Sequence, residues 1–208
     1  MSKIGIMGGT FNPIHFGHLF LAENAYEQAG LDKVLFMPSK NPPHKAVTSK
    51  VTEAQRVDMI KLAIKDNPHF ELSTLELNRE GMTYTADTLQ VLKEENEDAK
   101  YYFIVGTDSL FMMQNWKEPQ VVFDLCTVLV AARDNANVDE IHKHMDFLKK
   151  NFQAKVLYIE MPMLQIASAD IRERIEKKHT VRYYMPTSVI QYITDHRLYS
   201  PPQEVPLI

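Results

Sequence analysis

The segment GGTFNPIHFGH, Gly8 to His18, gathers more chemistry than any other stretch of the chain. Two adjacent glycines let a backbone come close to a phosphate, and the free amides at a helix start attract negative charge. His15 and His18 are three apart, so a helix beginning near Phe16 puts both on one face at its mouth, with Gly17 leaving room between them. The same spacing suits a metal ion, but no second cluster of Cys, His or carboxylates offers the remaining ligands, so no protein-held metal is expected. The motif contains neither GxGxxG nor a P-loop pattern, which argues against both of those nucleotide fingerprints.

Other residues could act with this turn. Lys45 ends a stiff proline loop, where its ammonium can be held over a polyphosphate or simply be solvated. Ser168 and Arg172 are four apart at the start of a helix, so a hydroxyl and a guanidinium share one face and can both reach phosphate oxygens. Thr85 precedes a helix expected from Ala86, a place for a small carboxylate to meet a hydroxyl and free amides. Trp116, the only tryptophan, lies in the polar stretch QNWKEP, where a flat ring is better suited to stacking on a ligand than to filling a core. Asp108 closes FIVGTD as a ligand contact or a helix N-cap, and Arg133 ends the VLVAAR run as a weaker phosphate candidate.

The elements that must position these groups alternate. Strands are expected at Lys3–Met7, Lys33–Met37, Phe70–Leu77, Tyr101–Val105, Thr127–Ala131 and Val156–Ile159. Helices are expected from the first motif to Gly30, over Thr52–Lys65, over Ala86–Glu95, after Ser168, and over Thr187–His196. PSKNPPHKAVTSK, after the second strand, reads as a loop. This alternation points to an α/β fold, a doubly wound and mostly parallel sheet, with ligands beyond the carboxyl ends of its strands.

The chain has 208 residues, 45% of them hydrophobic, enough for one domain over 1–208 with a loosely ordered proline-rich tail from 200 to 208. Lys plus Arg number 23 against 27 Asp plus Glu, a net charge of −4, which argues against a nucleic-acid binder. The single Cys126 cannot form an internal disulfide and sits in an apolar run, where a buried thiol is expected. No run approaches the ~20 apolar residues of a membrane span, so a soluble, cytoplasmic protein is expected.

The HxGH of His15 to His18, after a glycine turn carrying Thr10, resembles the nucleotidyltransferase superfamily, which also contains pantetheine-phosphate adenylyltransferase and some aminoacyl-tRNA synthetases. PSKNPPHK (38–45), TYTADT (83–88), FIVGTD (103–108), IASADIRERI (166–175) and TVRYYMPTSVIQYI (180–193) narrow the resemblance to bacterial nicotinate-nucleotide adenylyltransferases over nearly the whole chain.

That resemblance implies a Rossmann-like nucleotidyltransferase fold. It implies ATP and nicotinate mononucleotide as partners, Mg²⁺ arriving with ATP, and AMP transfer yielding deamido-NAD and pyrophosphate in NAD synthesis. It implies catalytic roles for His15, His18, Lys45 and Arg172, and ATP contacts from Gly8, Gly9, Thr10, Phe11, Gly106, Asp108, Arg133 and Ser168. Thr85, Trp116 and the backbone of Lys117 would receive the mononucleotide. Two departures stand out: Ala167 and Ala169 flank Ser168 where the family usually has adjacent hydroxyls, and Lys117 stands where it often has a second aromatic. A pantetheine-phosphate enzyme, usually shorter and without TYTADT and the tryptophan, and a non-catalytic nucleotide-binding module are the alternatives; homo-oligomerisation is left open.

Overall fold

The β-branched and aromatic runs form strands β1 (Lys3–Gly9), β2 (Lys33–Pro38), β3 (Phe70–Leu72), β4 (Lys100–Gly106), β5 (Cys126–Ala131) and β6 (Lys155–Ile159). In the computed structural model, which describes residues 1–40, 51–132, 137–162 and 164–200, they join in the order β3-β2-β1-β4-β5-β6, every pair parallel. The helices are α1 (Phe16–Ala29), α2 (Glu53–Ile64), α3 (Thr85–Glu95), α4 (Thr107–Met112), α5 (Pro119–Leu125), α6 (Val138–Phe152), α7 (Ser168–Glu176) and α8 (Thr187–Asp195). Among the described residues no helix is long and apolar enough to cross a membrane.

Successive strand residues point to opposite faces, and the core divides accordingly. Leu129 and Ala131 join a cluster with Ala22 and Ala25 of α1, Met59 and Ile60 of α2, Ile171 of α7 and Val189 of α8. Val128 and Val130 join the opposite cluster, with Leu89 of α3, Leu110 of α4, Val122 of α5 and Ile141 of α6. Helices therefore cover both faces, the doubly wound arrangement expected from the alternation. Cys126 is buried at the start of β5, where burial pushes its thiol up to about 12.

Three elements differ from the sequence expectation. β3 stops at Leu72 instead of reaching Leu77: its one partner, β2, ends at Pro38, which has no N–H to extend a ladder, and residues 75–78 turn away. α5 and α6 lie in stretches for which the sequence gives no helix expectation, whereas α4 is the helix for which Asp108 stood as a candidate N-cap. α6 carries its own signals: Asn137 caps it by accepting from Asp139 N–H, acids fill its first turn, and Lys149 and Lys150 its last.

β1 and β4 are neighbours, yet the chain leaves β1 toward β2 and leaves β4 toward β5. The loops after them diverge, and a crevice opens at the carboxyl ends of these strands. Gly8 and Gly9 end one strand, and Gly106 ends the other.

Candidate active site

Thr10–His15 turn the chain from β1 into α1. A phosphate approaching such a turn needs amides directed at it and carbonyl oxygens engaged elsewhere. Distant side chains engage those oxygens. Arg56 of α2 donates through Nη1 to Thr10 O at 2.7 Å, Arg172 of α7 to Asn12 O at 2.8 Å, and Ser168 Oγ to Pro13 O at 2.9 Å. The Tyr199 hydroxyl donates to Asn12 Oδ1 at 2.6 Å, and Phe16 N–H to Tyr184 O at 2.9 Å. Phe11 takes φ 47°, while its buried ring packs on His18 and Phe36 at centroid distances of 5.0 and 5.8 Å. What Phe11 can offer a ligand is its backbone.

α1 begins at Phe16, as the histidine spacing requires, with His15 at its N-cap. The two imidazoles stack, centroids 3.7 Å apart and planes inclined by 29°. They are not equivalent: His15 is 1% exposed, whereas His18 is only half-buried. The His15 N–H donates to His18 Nδ1 at 3.3 Å. An accepting Nδ1 puts the proton of a neutral ring on Nε2, so His18 carries a donor on that nitrogen. Packing favours Gly17, because a Cβ there would stand 3.0 Å from His15 Nδ1 and 3.4 Å from Ile166 O, so the His15 ring would have to give by a few tenths of an ångström.

On the other face of the sheet, Gly8 and Gly9 form one wall of a cavity of about 310 Å³, closed by Phe103, Trp116 and Thr85. A Cβ at Gly8 would meet only the Phe103 ring at 3.5 Å, an ordinary contact, so internal packing does not require glycine there. What its bare backbone opens is the cavity. Trp116 meets Phe103 edge-on at 6.0 Å. Thr85 is the first residue of α3, and the N-cap Tyr84 makes no side-chain capping bond, so the first-turn amides are available to an anion.

Lys117 also lines the cavity, but its ammonium turns onto α3. It lies 3.2 Å from Asp87 Oδ1 and 4.6 Å from the centroid of Tyr84, and Asp87 receives Arg79 as well, at 3.3 Å. Its charge is thus largely matched, leaving the backbone as its expected contribution to a ligand. Glu76 lines the cavity and accepts from Thr88 Oγ1 at 3.0 Å. Burial raises its carboxyl above the usual range, against hydrogen bonds from Thr88 and Thr83 and the charge of Arg79.

Asp108 lies exposed in the first turn of α4; the N-cap is Gly106, because the helix starts one residue earlier, at Thr107, whose hydroxyl donates to Ala131 O at 3.3 Å. The turn, both histidines, Ser168 and Arg172 thus come together, with Thr85, Trp116 and Lys117 around the adjoining cavity. Lys45 and Arg133 fall outside the described residues. Four residues at the site carried no expectation: Arg56, Glu76, Asp87 and Tyr199. Arg56 had a signal, since Arg56, Met59, Ile60 and Ile64 form one buried stripe and a charge within such a stripe needs a reason. For Tyr199 the sequence holds none. Among the described residues no three His, Cys, Asp or Glu gather as metal ligands.

Residues 6–174 match the Cytidylyltransferase-like family. A relative from Lachnoclostridium phytofermentans, named "Probable nicotinate-nucleotide adenylyltransferase", is 44% identical over 199 residues, 96% of this chain and all of the relative. One from a Thermoanaerobacter species with the same name is 40% identical, covering 97% of this chain and 96% of the relative. The fold is similar to that of Plasmodium falciparum nicotinic acid mononucleotide adenylyltransferase complexed with NaAD, with a TM-score of 0.81 at 22% identity over 96% of this chain and 98% of that one.

Proposed function

We propose a division of labour within a chain that belongs to the Cytidylyltransferase-like family and, inside it, to the nicotinate-nucleotide adenylyltransferases, which makes it an ATP-dependent nucleotidyltransferase of NAD synthesis. The Gly8–His18 turn receives the triphosphate of ATP, and the cavity of Thr85 and Trp116 receives the pyridine of nicotinate mononucleotide. The observation that carries this reading is the shared wall: Gly8 and Gly9 belong at once to the strand that feeds the phosphate turn and to the lining of the aromatic cavity. A mononucleotide ring in the cavity therefore has its phosphate within reach of the turn.

The mononucleotide phosphate oxygen attacks the α-phosphorus in line, the bond from that phosphorus to the bridging oxygen breaks, and pyrophosphate leaves with the electron pair. The nucleophile is already an anion, so the protein aligns it and balances charge on the oxygens. His18 Nε2–H donates to an oxygen of the α-phosphate, and His15 supports that ring from beneath. Arg172 is half-buried, with one nitrogen engaged on Asn12 O, and its guanidinium adds positive charge beside the turn. Lys45 and Arg133 add phosphate contacts, and Gly106 and Asp108 border the nucleoside. Imidazole, guanidinium and amides suit phosphate but not Mg²⁺, which takes oxygen ligands; the ion therefore travels on ATP, where it screens polyphosphate charge. At the other end, the carboxylate of nicotinate meets the first-turn amides of α3 and the Thr85 hydroxyl. The protein works in the cytoplasm.

Pyrophosphate release from ATP with a panel of acceptors tests the reading. Nicotinate mononucleotide should exceed its amide by about one to two orders of magnitude in kcat/KM, because an NH₂ facing those donors leaves polar groups unpaired. Equal use of the two would sink the assignment of the carboxylate to Thr85.

A further inference from the structure

Arg56 heads the fully buried side chains at 1% exposure, and its Nη1 donates to Thr10 O at 2.7 Å. Among the described residues no carboxylate lies within ion-pair distance of it, an expensive arrangement for a charge that a guanidinium does not give up. Beside it the Tyr199 hydroxyl donates to Asn12 Oδ1 at 2.6 Å, while Arg172 donates to the main-chain oxygen of the same Asn12. Three groups from α2, α7 and the segment after α8 thus close on Thr10 and Asn12 of the turn, and His15 is only three positions on from Asn12. Burial raises the Tyr199 hydroxyl well above the usual tyrosine range, with Arg172 and Arg56 pulling the other way, so it stays a donor.

We propose that Tyr199 is a positioning residue of the phosphate turn, acting with Arg56 so that the segment after α8 is part of the working site. This rests on the reading that the turn receives ATP. Tyr199 grips Asn12, and Asn12 leads through Pro13 and Ile14 to His15, whose N–H fixes the ring proton of His18. Loosening the Asn12 side chain, even with Arg172 still on its main-chain oxygen, lets the donor on His18 drift from the α-phosphate. The aromatic cavity, on the other face of the sheet, takes no part in this linkage.

Tyr199→Phe keeps the ring and removes only the donor. Its kcat should fall about tenfold, since displacing a catalytic group by an ångström costs up to about a hundredfold. KM for ATP should rise several-fold, while KM for the mononucleotide and the melting curve stay as in the parent. Asn12→Ala removes the same bond from the other side, and the double variant should be no worse than the poorer single one. A merely structural role would lower the melting temperature and the active fraction together and move neither KM. Parent-like kinetics in folded Tyr199→Phe, equal rises in both KM values, or additive effects in the double variant each overturn the proposal. Should Tyr199→Phe not fold, Asn12→Ala alone decides, and unaltered ATP kinetics there overturn it. A parent that releases no pyrophosphate from ATP and nicotinate mononucleotide brings down the functional reading first, whereas a working parent with unaffected variants brings down this proposal alone.

Discussion

The phosphate turn is held by side chains 46 to 187 residues away that grip its oxygens, whereas the aromatic cavity across the sheet is framed by shorter-range contacts, with Asp87 joined to Arg79 and Lys117 by partly exposed ion pairs. The turn is stiff because the groups that could stray are tied down, and the work proposed for it, charge balance at a phosphorus, would tolerate little displacement. On the proposed reading the cavity would bind a flat ring through area and one carboxylate through amides, which tolerates some play. Substitutions in the two regions should therefore divide between kcat and KM.

The largest expected effect is in the turn. His18→Ala should lower kcat by two or more orders of magnitude with the fold intact, equivalent to about 3 kcal/mol of transition-state stabilisation. Steady-state rates beside a far-ultraviolet spectrum check it, and a folded variant with near-parental kcat would falsify the role. Trp116→Ala comes next. It should raise the mononucleotide KM about five- to tenfold while leaving KM for ATP and the acid-to-amide ratio nearly unchanged. A collapse of that ratio would move selection from the start of α3 to the tryptophan.

Lys117→Met should change the mononucleotide KM by no more than about fivefold, because a half-exposed ion pair contributes about 0.2–1 kcal/mol. Acceptor titrations at low and high salt read this directly, and a tenfold loss would show that the ammonium, not the backbone, meets the carboxylate. The smallest effect belongs to Glu76→Gln. A carboxyl whose folded pKa is raised favours the fold while protonated and loses that contribution as pH rises from 4.5 through the raised value. The Gln variant should therefore match the parent at acid pH and be slightly the more stable near neutrality, as denaturant midpoints across pH would register. A stability difference independent of pH would mean that Glu76 is not held in that state.

The sheet and the phosphate turn were legible because their signals are local: alternation, a glycine pair, histidines at a helical spacing. β1, α1 and α8 needed nothing else. β3 was overextended because the apolar pattern runs to Leu77, while the limit is Pro38 on the neighbouring strand. Lys117 shows the same boundary in the site. Its position beside Trp116 could be read, but the turn of its ammonium toward Asp87 depends on a contact 30 residues away. Tyr199 is the extreme case, a single hydroxyl that finds its acceptor 187 positions back.

That separation bears on how the protein comes into being. The phosphate turn is synthesised well before the residues that hold it, since Ser168, Arg172 and Tyr199 come 155, 160 and 187 residues after their partners in it. Contacts so distant along the chain form late, because loop-closure entropy must be overcome before they contribute. A refolding chain should then recover helix content, and burial of Cys126 against thiol reagents, before it recovers any affinity for ATP. The turn is made before its clamps and becomes competent only after them.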